Sequence, residues 1–237
     1  MLIKKLFLIL FLVTFSISSL HADQRLTFGA KLLGAAWVGD NGAAGTDYES
    51  DEGGQFGLSV SYKIGDFYTG LNLQRGEYNF NNRAPDKFTP AGRVPATSVK
   101  IEQSDLDLLF GYYFWSQVSL FVDIKRVTNN WLDDPYSQNF LGIGLGASGY
   151  IPVNDKWTLF GSFGFIGSGE IEDNNDVKVG EGDSWALEVG TVYSINERHF
   201  VNAGVKTRNY TFEYLDSSKQ EYNINAIFVG YNYSFSL

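Results

Sequence analysis

Asp105 and Asp107 stand two residues apart in a stretch that alternates apolar and polar side chains. In an extended strand both carboxylates fall on one face. A pair so placed can share a proton or position a water for general acid–base work. His199 is the only histidine after residue 22, and the pattern puts it in a short turn with Glu197 two residues before it. Asp105 lies ten residues before Trp115, which belongs to the same end of the expected sheet as that turn. Along a tilted strand this separates the groups by roughly 25 Å. Lys125, Lys206 and Arg208 are better partners for the two carboxylates, as salt bridges, and no catalytic residue is assigned.

Other carboxylates crowd two polar segments. Asp47, Glu49 and Asp51 fall in a run without a basic residue, and Glu172, Asp173 and Asp176 surround a single Lys178. Oxygen ligands at this density suit Ca²⁺ or Mg²⁺, so divalent cations are possible partners of these loops. Asp47-x-Glu49-x-Asp51 is a poor calcium loop, because its glycine comes one position late, at Gly53, and position twelve is Leu58. The chain has no cysteine, so neither a disulfide framework nor a thiolate metal centre is available. Gly144-x-Gly146-x-x-Gly149 formally matches a dinucleotide fingerprint, but Tyr150–Ile151–Pro152 ends the segment where a helix would have to begin. No cofactor is expected.

The elements that carry these residues follow from a period of two, which recurs in ten segments while helical spacing does not. The last segment shows it best. Val229, Tyr231, Tyr233, Phe235 and Leu237 alternate with Gly230, Asn232, Ser234 and Ser236. Such a strand meets lipid only inside a closed barrel, where every backbone group has a partner. The expected fold is all-β: a closed antiparallel transmembrane β-barrel with an up-and-down meander of ten strands, eight being the alternative. Short connections near residues 65–66, 115–117, 152–155 and 196–199 alternate with longer ones at 39–54, 76–99, 127–139, 167–183 and 215–220. Outer-membrane barrels have this asymmetry, with short periplasmic turns and long outer loops. Asn223 and Asn225 fall on the apolar parity of the last strand, which implies a bulge or the end of the lipid zone there.

The parity opposite to the apolar one lines the lumen. It places Lys31, Lys63, Asp105, Asp107, Asp123, Lys125, Glu188, Lys206 and Arg208 inside, nearly balanced in charge, as a salt-bridged filling or as the constriction of a channel. Gly142, Gly144 and Gly146 also face inward and leave room for Phe121 and Phe160. Arg75 and Arg126 continue the lipid-facing parity at the outer strand ends, where guanidinium groups could contact lipid A phosphates. Aromatic girdles are expected at both rims: Tyr112, Phe114, Trp115, Trp157, Tyr193, Tyr231 and Tyr233 on the periplasmic side, and Trp37, Tyr78, Trp131, Phe165, Trp185 and Tyr210 on the outer side.

The first 22 residues read as a signal peptide. Lys4 and Lys5 precede an apolar run from Leu6 to Ile17, too short to span a membrane, and Ala22 ends the cleavage region. Residues 23–237 form one barrel domain. Without Lys4 and Lys5, the 18 basic residues fall to 16 against 27 acidic ones, a formal charge of −11. That balance argues against nucleic acid as a partner.

Leader, alternation and final aromatic strand together resemble the small outer-membrane β-barrel proteins of Gram-negative bacteria, the broad group around the OmpA-type barrel and the opacity-type, porin-like proteins. Two features depart from that group: ten strands where eight are usual, and Leu237 where phenylalanine is usual. The resemblance implies localisation in the cell outer membrane. It also implies contact with outer-membrane lipids and lipopolysaccharide, and recognition of the C-terminal strand by the barrel assembly machinery. The acidic pair resembles part of the ten-stranded omptin proteases, which use acidic pairs with a histidine; that histidine has no counterpart here. Lipid-A deacylases use a serine beside a histidine, and no His-x-Ser occurs. The favoured function is a non-enzymatic envelope protein with a surface-interaction or envelope-integrity role and a filled lumen. A narrow porin-like channel for ions or small solutes is the alternative, and an omptin-like or lipid-A-modifying enzyme the third.

Overall fold

The computed structural model describes residues 24–43 and 45–237; the expected signal peptide lies outside them. Its strands are β1 (Gln24–Asp40), β2 (Tyr48–Glu49), β3 (Glu52–Ile64), β4 (Phe67–Arg83), β5 (Lys87–Thr89), β6 (Gly92–Val94), β7 (Thr97–Trp115), β8 (Val118–Trp131), β9 (Ser137–Pro152), β10 (Trp157–Glu172), β11 (Lys178–Ser194), β12 (His199–Tyr214) and β13 (Lys219–Ser236). Ten of them build the wall. The two-residue β2 pairs with the end of β1, and β5 with β6 forms a separate small hairpin. Each wall strand pairs antiparallel with its neighbours in sequence, and β13 returns to β1 from Arg25↔Ser236 to Asp40↔Glu221. The sheet therefore closes as a ten-stranded meander, and the eight-stranded alternative falls. Closure leaves no strand edge in the wall, as a barrel in hydrocarbon requires.

The wall strands are longer than a bilayer needs. About 9–11 tilted residues span the hydrocarbon, whereas β3 has 13 residues and β7 has 19. The surplus lies on the long-loop side, and there the pattern inverts. On β12, Val201, Ala203 and Val205 face out, but higher up Tyr210, Phe212 and Tyr214 are buried inside. On β4, Leu71 and Leu73 face out, then Tyr78 and Phe80 turn in. On β13, Ile227 and Val229 are exposed while Tyr222 and Ile224 are fully buried. The register of β12 against β13 is continuous through this change, so no bulge causes it. The apolar residues simply shift phase by one. The lower half turns its greasy face to lipid; the upper half stands in water and turns that face inward. Asn223 and Asn225 accordingly mark the end of the lipid zone, on the outer wall, where they bond Asn209 Nδ2 (3.1 Å) and Thr207 Oγ1 (2.7 Å).

This inversion corrects the outer girdle. Phe165 and Trp185 keep the outward parity, but Trp37, Tyr78, Trp131 and Tyr210 are buried in the lumen. They join Phe80, Phe140, Phe212 and Tyr222 in one aromatic layer. Trp37 meets Tyr78 edge-on at 5.2 Å between ring centres and lies 4.8 Å from Tyr222, which stacks on Tyr210 at 4.8 Å. Rings of this size bury 150–250 Å² each, so the layer is a hydrophobic core in its own right.

The β5–β6 hairpin stops the outer mouth. Phe88 is buried and stacks on Tyr214 at 3.5 Å. Its backbone amide donates to the Tyr136 hydroxyl, which in turn donates to the Phe88 carbonyl. Asp86 accepts from Arg93 Nε at 2.5 Å and from the Ala96 amide at 3.1 Å.

Candidate functional site

Below the aromatic layer, the inward parity of the same strands gathers the charged residues into one layer. Arg208 on β12 reaches Asp105 on β7. Those strands are five steps apart whichever way the ring is followed, so this pair crosses the lumen between opposite walls. Lys125 lies 3.3 Å from Asp105 and also contacts Asp107, its cross-strand neighbour. Lys31 on β1 meets Glu188 on β11 at 2.5 Å and stands over the Phe228 ring at 4.4 Å. Both Asp105 and Arg208 are almost wholly buried. Charges held this far from water must be matched, and each of these has an opposite charge in contact.

Three residues assigned to this network behave differently. Lys206 donates to Gln74 Oε1 at 3.2 Å, and among the described residues no carboxylate lies within ion-pair distance of it. Asp123 lines a lumen cavity of about 110 Å³ together with Asp107, Glu188 and Lys206, and its Oδ1 accepts no hydrogen bond from the described residues. Lys63 stands apart, 4.8 Å over the Tyr113 ring nearer the short turns.

Half-buried aromatic rings stand below the layer too. Phe121 lies over Gly146, Tyr68 over Gly111 and Phe160 over Gly190, each where a Cβ would collide with the ring. The room made by the β9 glycines is thus shared differently from expectation: Phe121 fills it at Gly146, Ile166 fills it at Gly142 and Gly144, and Phe160 turns to β11. The charges lie between two aromatic floors.

A ladder of amides climbs from the charges through the upper floor. Arg208 Nη2 donates to Gln55 Oε1 (2.9 Å), Gln55 to Gln103 (3.4 Å), Gln103 to Asn129 (3.0 Å) and Asn129 to Gln138 (3.1 Å). Gln138 donates to the Tyr214 hydroxyl at 2.6 Å, and Tyr214 to Gln220 at 3.0 Å. Gln220 then reaches Asn41, which accepts from the Asp86 amide at the root of the hairpin. Sequence reasoning did not single out Gln55, Gln103, Asn129, Gln138 or Gln220. Their signal was present, since all five fall on the inward parity of their strands, where an amide must find a partner.

The remaining candidates are dispersed. His199 sits at the short-turn end, bonded to the Tyr231 hydroxyl, far from Asp105 and Asp107. Asp51 accepts the Asn81 amide at 2.9 Å. Asp173 is turned onto its own loop, accepting the amides of Asn175 (2.9 Å) and Val177 (3.1 Å). Among the described residues, no group of three or more carboxylate, histidine or cysteine side chains converges. Arg75 and Arg126 are on the outer wall; Arg75 meets Glu102 at 2.5 Å and Arg126 bonds Asn139 Oδ1 at 3.3 Å.

A closed, ten-stranded antiparallel barrel with an outward apolar belt is the architecture of the outer-membrane β-barrels, and solved members of that class resemble this chain. The outer membrane protease OmpT from Escherichia coli superposes with a TM-score of 0.60 at 10% identity, over 93% of this chain and all of that one. Neisserial surface protein A matches at 0.39 with 11% identity, over 89% of this chain and 97% of its own. The toluene transporter TodX of Pseudomonas putida matches at 0.35 with 10% identity, over 90% and 89%. At such identities the likeness to OmpT fixes the fold alone. No protein-family model matches the chain, and no curated protein sequence matches it.

Proposed function

We propose that this protein is a non-enzymatic integral outer-membrane protein that works as a closed post, with a surface-interaction or envelope-integrity role. The observation that carries this reading is the Arg208–Asp105 pair, which ties opposite walls together across the lumen under a layer of buried aromatics. Arg208 and Lys125 hold Asp105, and Lys125 also holds Asp107, so the two carboxylates serve the barrel as braces. The upper ends of the wall strands stand beyond the lipid, and that outer part meets the surroundings. The outward aromatics of β13, Tyr231, Tyr233 and Phe235, are what the barrel assembly machinery would recognise.

A narrow channel is the second reading, supported by the cavity beside Asp123 and Lys206. Planar-bilayer recording of the refolded protein separates the two. The closed post gives no conductance steps. Reproducible steps whose ion selectivity changes with Asp107→Asn or Lys206→Gln would replace it by the channel. Peptide and lipid-A hydrolysis assays address catalysis, and an activity abolished by Asp105→Ala would restore the enzyme.

A further inference from the structure

The outer wall changes character where the apolar belt ends, and positive charge gathers there in one quadrant only. Leu73, Leu106 and Arg126 lie side by side across β4, β7 and β8; in the next row up stand Arg75, Ser104 and Thr128. Two strand spacings across and one row along the strands put the arginines' Cα atoms about 12 Å apart. Arg75 lies beside Phe56 of β3, and Thr128 beside Asn139 of β9, so neither flanking strand adds a charge to the patch. Higher on the same wall, Lys100, Lys178 and Lys219 each have a glutamate within 3.8 Å. Arg126 has no carboxylate within 4.0 Å among the described residues, and the Arg75 side chain is 69% exposed although it meets Glu102. The patch therefore carries a net positive charge on a wall that is otherwise balanced or acidic.

Beneath the arginines lies an apolar floor. Phe56, Leu58, Leu73 and Leu106 are all exposed and border, with the two guanidinium groups, a shallow outer concavity of about 390 Å³. A floor continuous with the lipid belt, topped by two planar cationic forks, fits a molecule with acyl chains below and a phosphate above. We infer that Arg75 and Arg126 bind the phosphate of an acylated, phosphorylated lipid of the outer leaflet, with its chains over Phe56 and Leu106. Glu102 holds the Arg75 guanidinium at the wall and competes with the phosphate for it. This inference rests on the barrel's orientation in the membrane and is independent of whether the lumen conducts.

The test is native mass spectrometry of the detergent-purified, full barrel titrated with three probes: bis-phosphorylated lipid A, the same lipid with its phosphates removed, and inorganic phosphate. Wild-type protein retains the phosphorylated lipid and loses about tenfold or more of that affinity in Arg126→Gln, the value of one charge-assisted hydrogen bond. Arg75→Gln loses a similar factor, Glu102→Gln gains affinity, and Lys219→Gln changes nothing. Arg126 makes a single side-chain bond, so its variant keeps the fold, checked by heat-modifiable gel mobility. Equal retention of the dephosphorylated lipid, equal affinity for inorganic phosphate, or unchanged retention in Arg126→Gln would overturn the inference.

Discussion

Replacing Arg208 by methionine tests whether the lumen is sealed. The charged layer holds four carboxylates, Asp105, Asp107, Asp123 and Glu188, against Lys31, Lys125, Lys206 and Arg208. Arg208→Met leaves four negative charges facing three positive ones, and Gln55 Oε1 loses its donor. Where the layer is shut off from water, breaking such a pair costs about 3–5 kcal/mol. The double variant Arg208→Met with Asp105→Leu removes both charges and leaves Lys125 with Asp107. A matched apolar replacement of this kind is often neutral or better, so most of the loss returns, and the pair shows a coupling of at least about 2 kcal/mol. The assay is denaturant unfolding in detergent, followed by tryptophan fluorescence and gel mobility, with midpoints compared at constant slope. A pair bathed in water is worth only about 0–1 kcal/mol. A single-variant cost in that range, with no coupling, would mean a hydrated lumen and refute the reasoning.

Further outcomes follow from the same contacts. Trp37→Ala removes the ring that Tyr78, Phe80 and Tyr222 surround, and lowers unfolding stability by about 3–5 kcal/mol in the same assay. Asp86→Ala strips Arg93 and the Ala96 amide of their acceptor, so limited proteolysis cuts residues 84–96 faster while the wall unfolds at an unchanged midpoint. The Ser218 hydroxyl and amide both donate to Asp216 and hold its carboxyl below the usual range. A depressed folded-state value stabilises the turn above the ordinary aspartate range, near pH 4, and that stability is lost as pH falls through the folded value. Amide exchange at Ser218 should therefore accelerate on acidification below about pH 4, and the Asp216→Asn variant should lack that response.

Much of the wall is legible in the sequence because a strand's two faces meet different solvents. Val229, Tyr231, Tyr233 and Phe235 announce lipid on one side of β13, and the same rule places Lys31, Asp105, Lys125 and Arg208 inside. Strand number follows from the ten alternating segments and their turns. The upper barrel is misjudged when one parity is carried to the strand ends. Tyr210 and Trp37 look like girdle residues if the lipid face continues upward, but their parity is inward, and Asn223 and Asn225 already show the outer face turning polar. Which acid meets which base is readable only in part: of Lys125, Lys206 and Arg208, expected as partners of the acidic pair, Lys125 and Arg208 contact it. Arg208 and Asp105 are 103 positions apart in the chain and meet only because the sheet closes. Lys206, two residues away on the same face, finds Gln74 instead.

The sealed lumen is tested most directly by the access of a water-soluble thiol reagent, which the absence of native cysteine makes clean. Ser184→Cys places one thiol at the lumen cavity, at a buried position. In folded protein reconstituted into vesicles, that thiol should remain unmodified from either side and react only after unfolding. Rapid modification of the folded barrel would contradict the account.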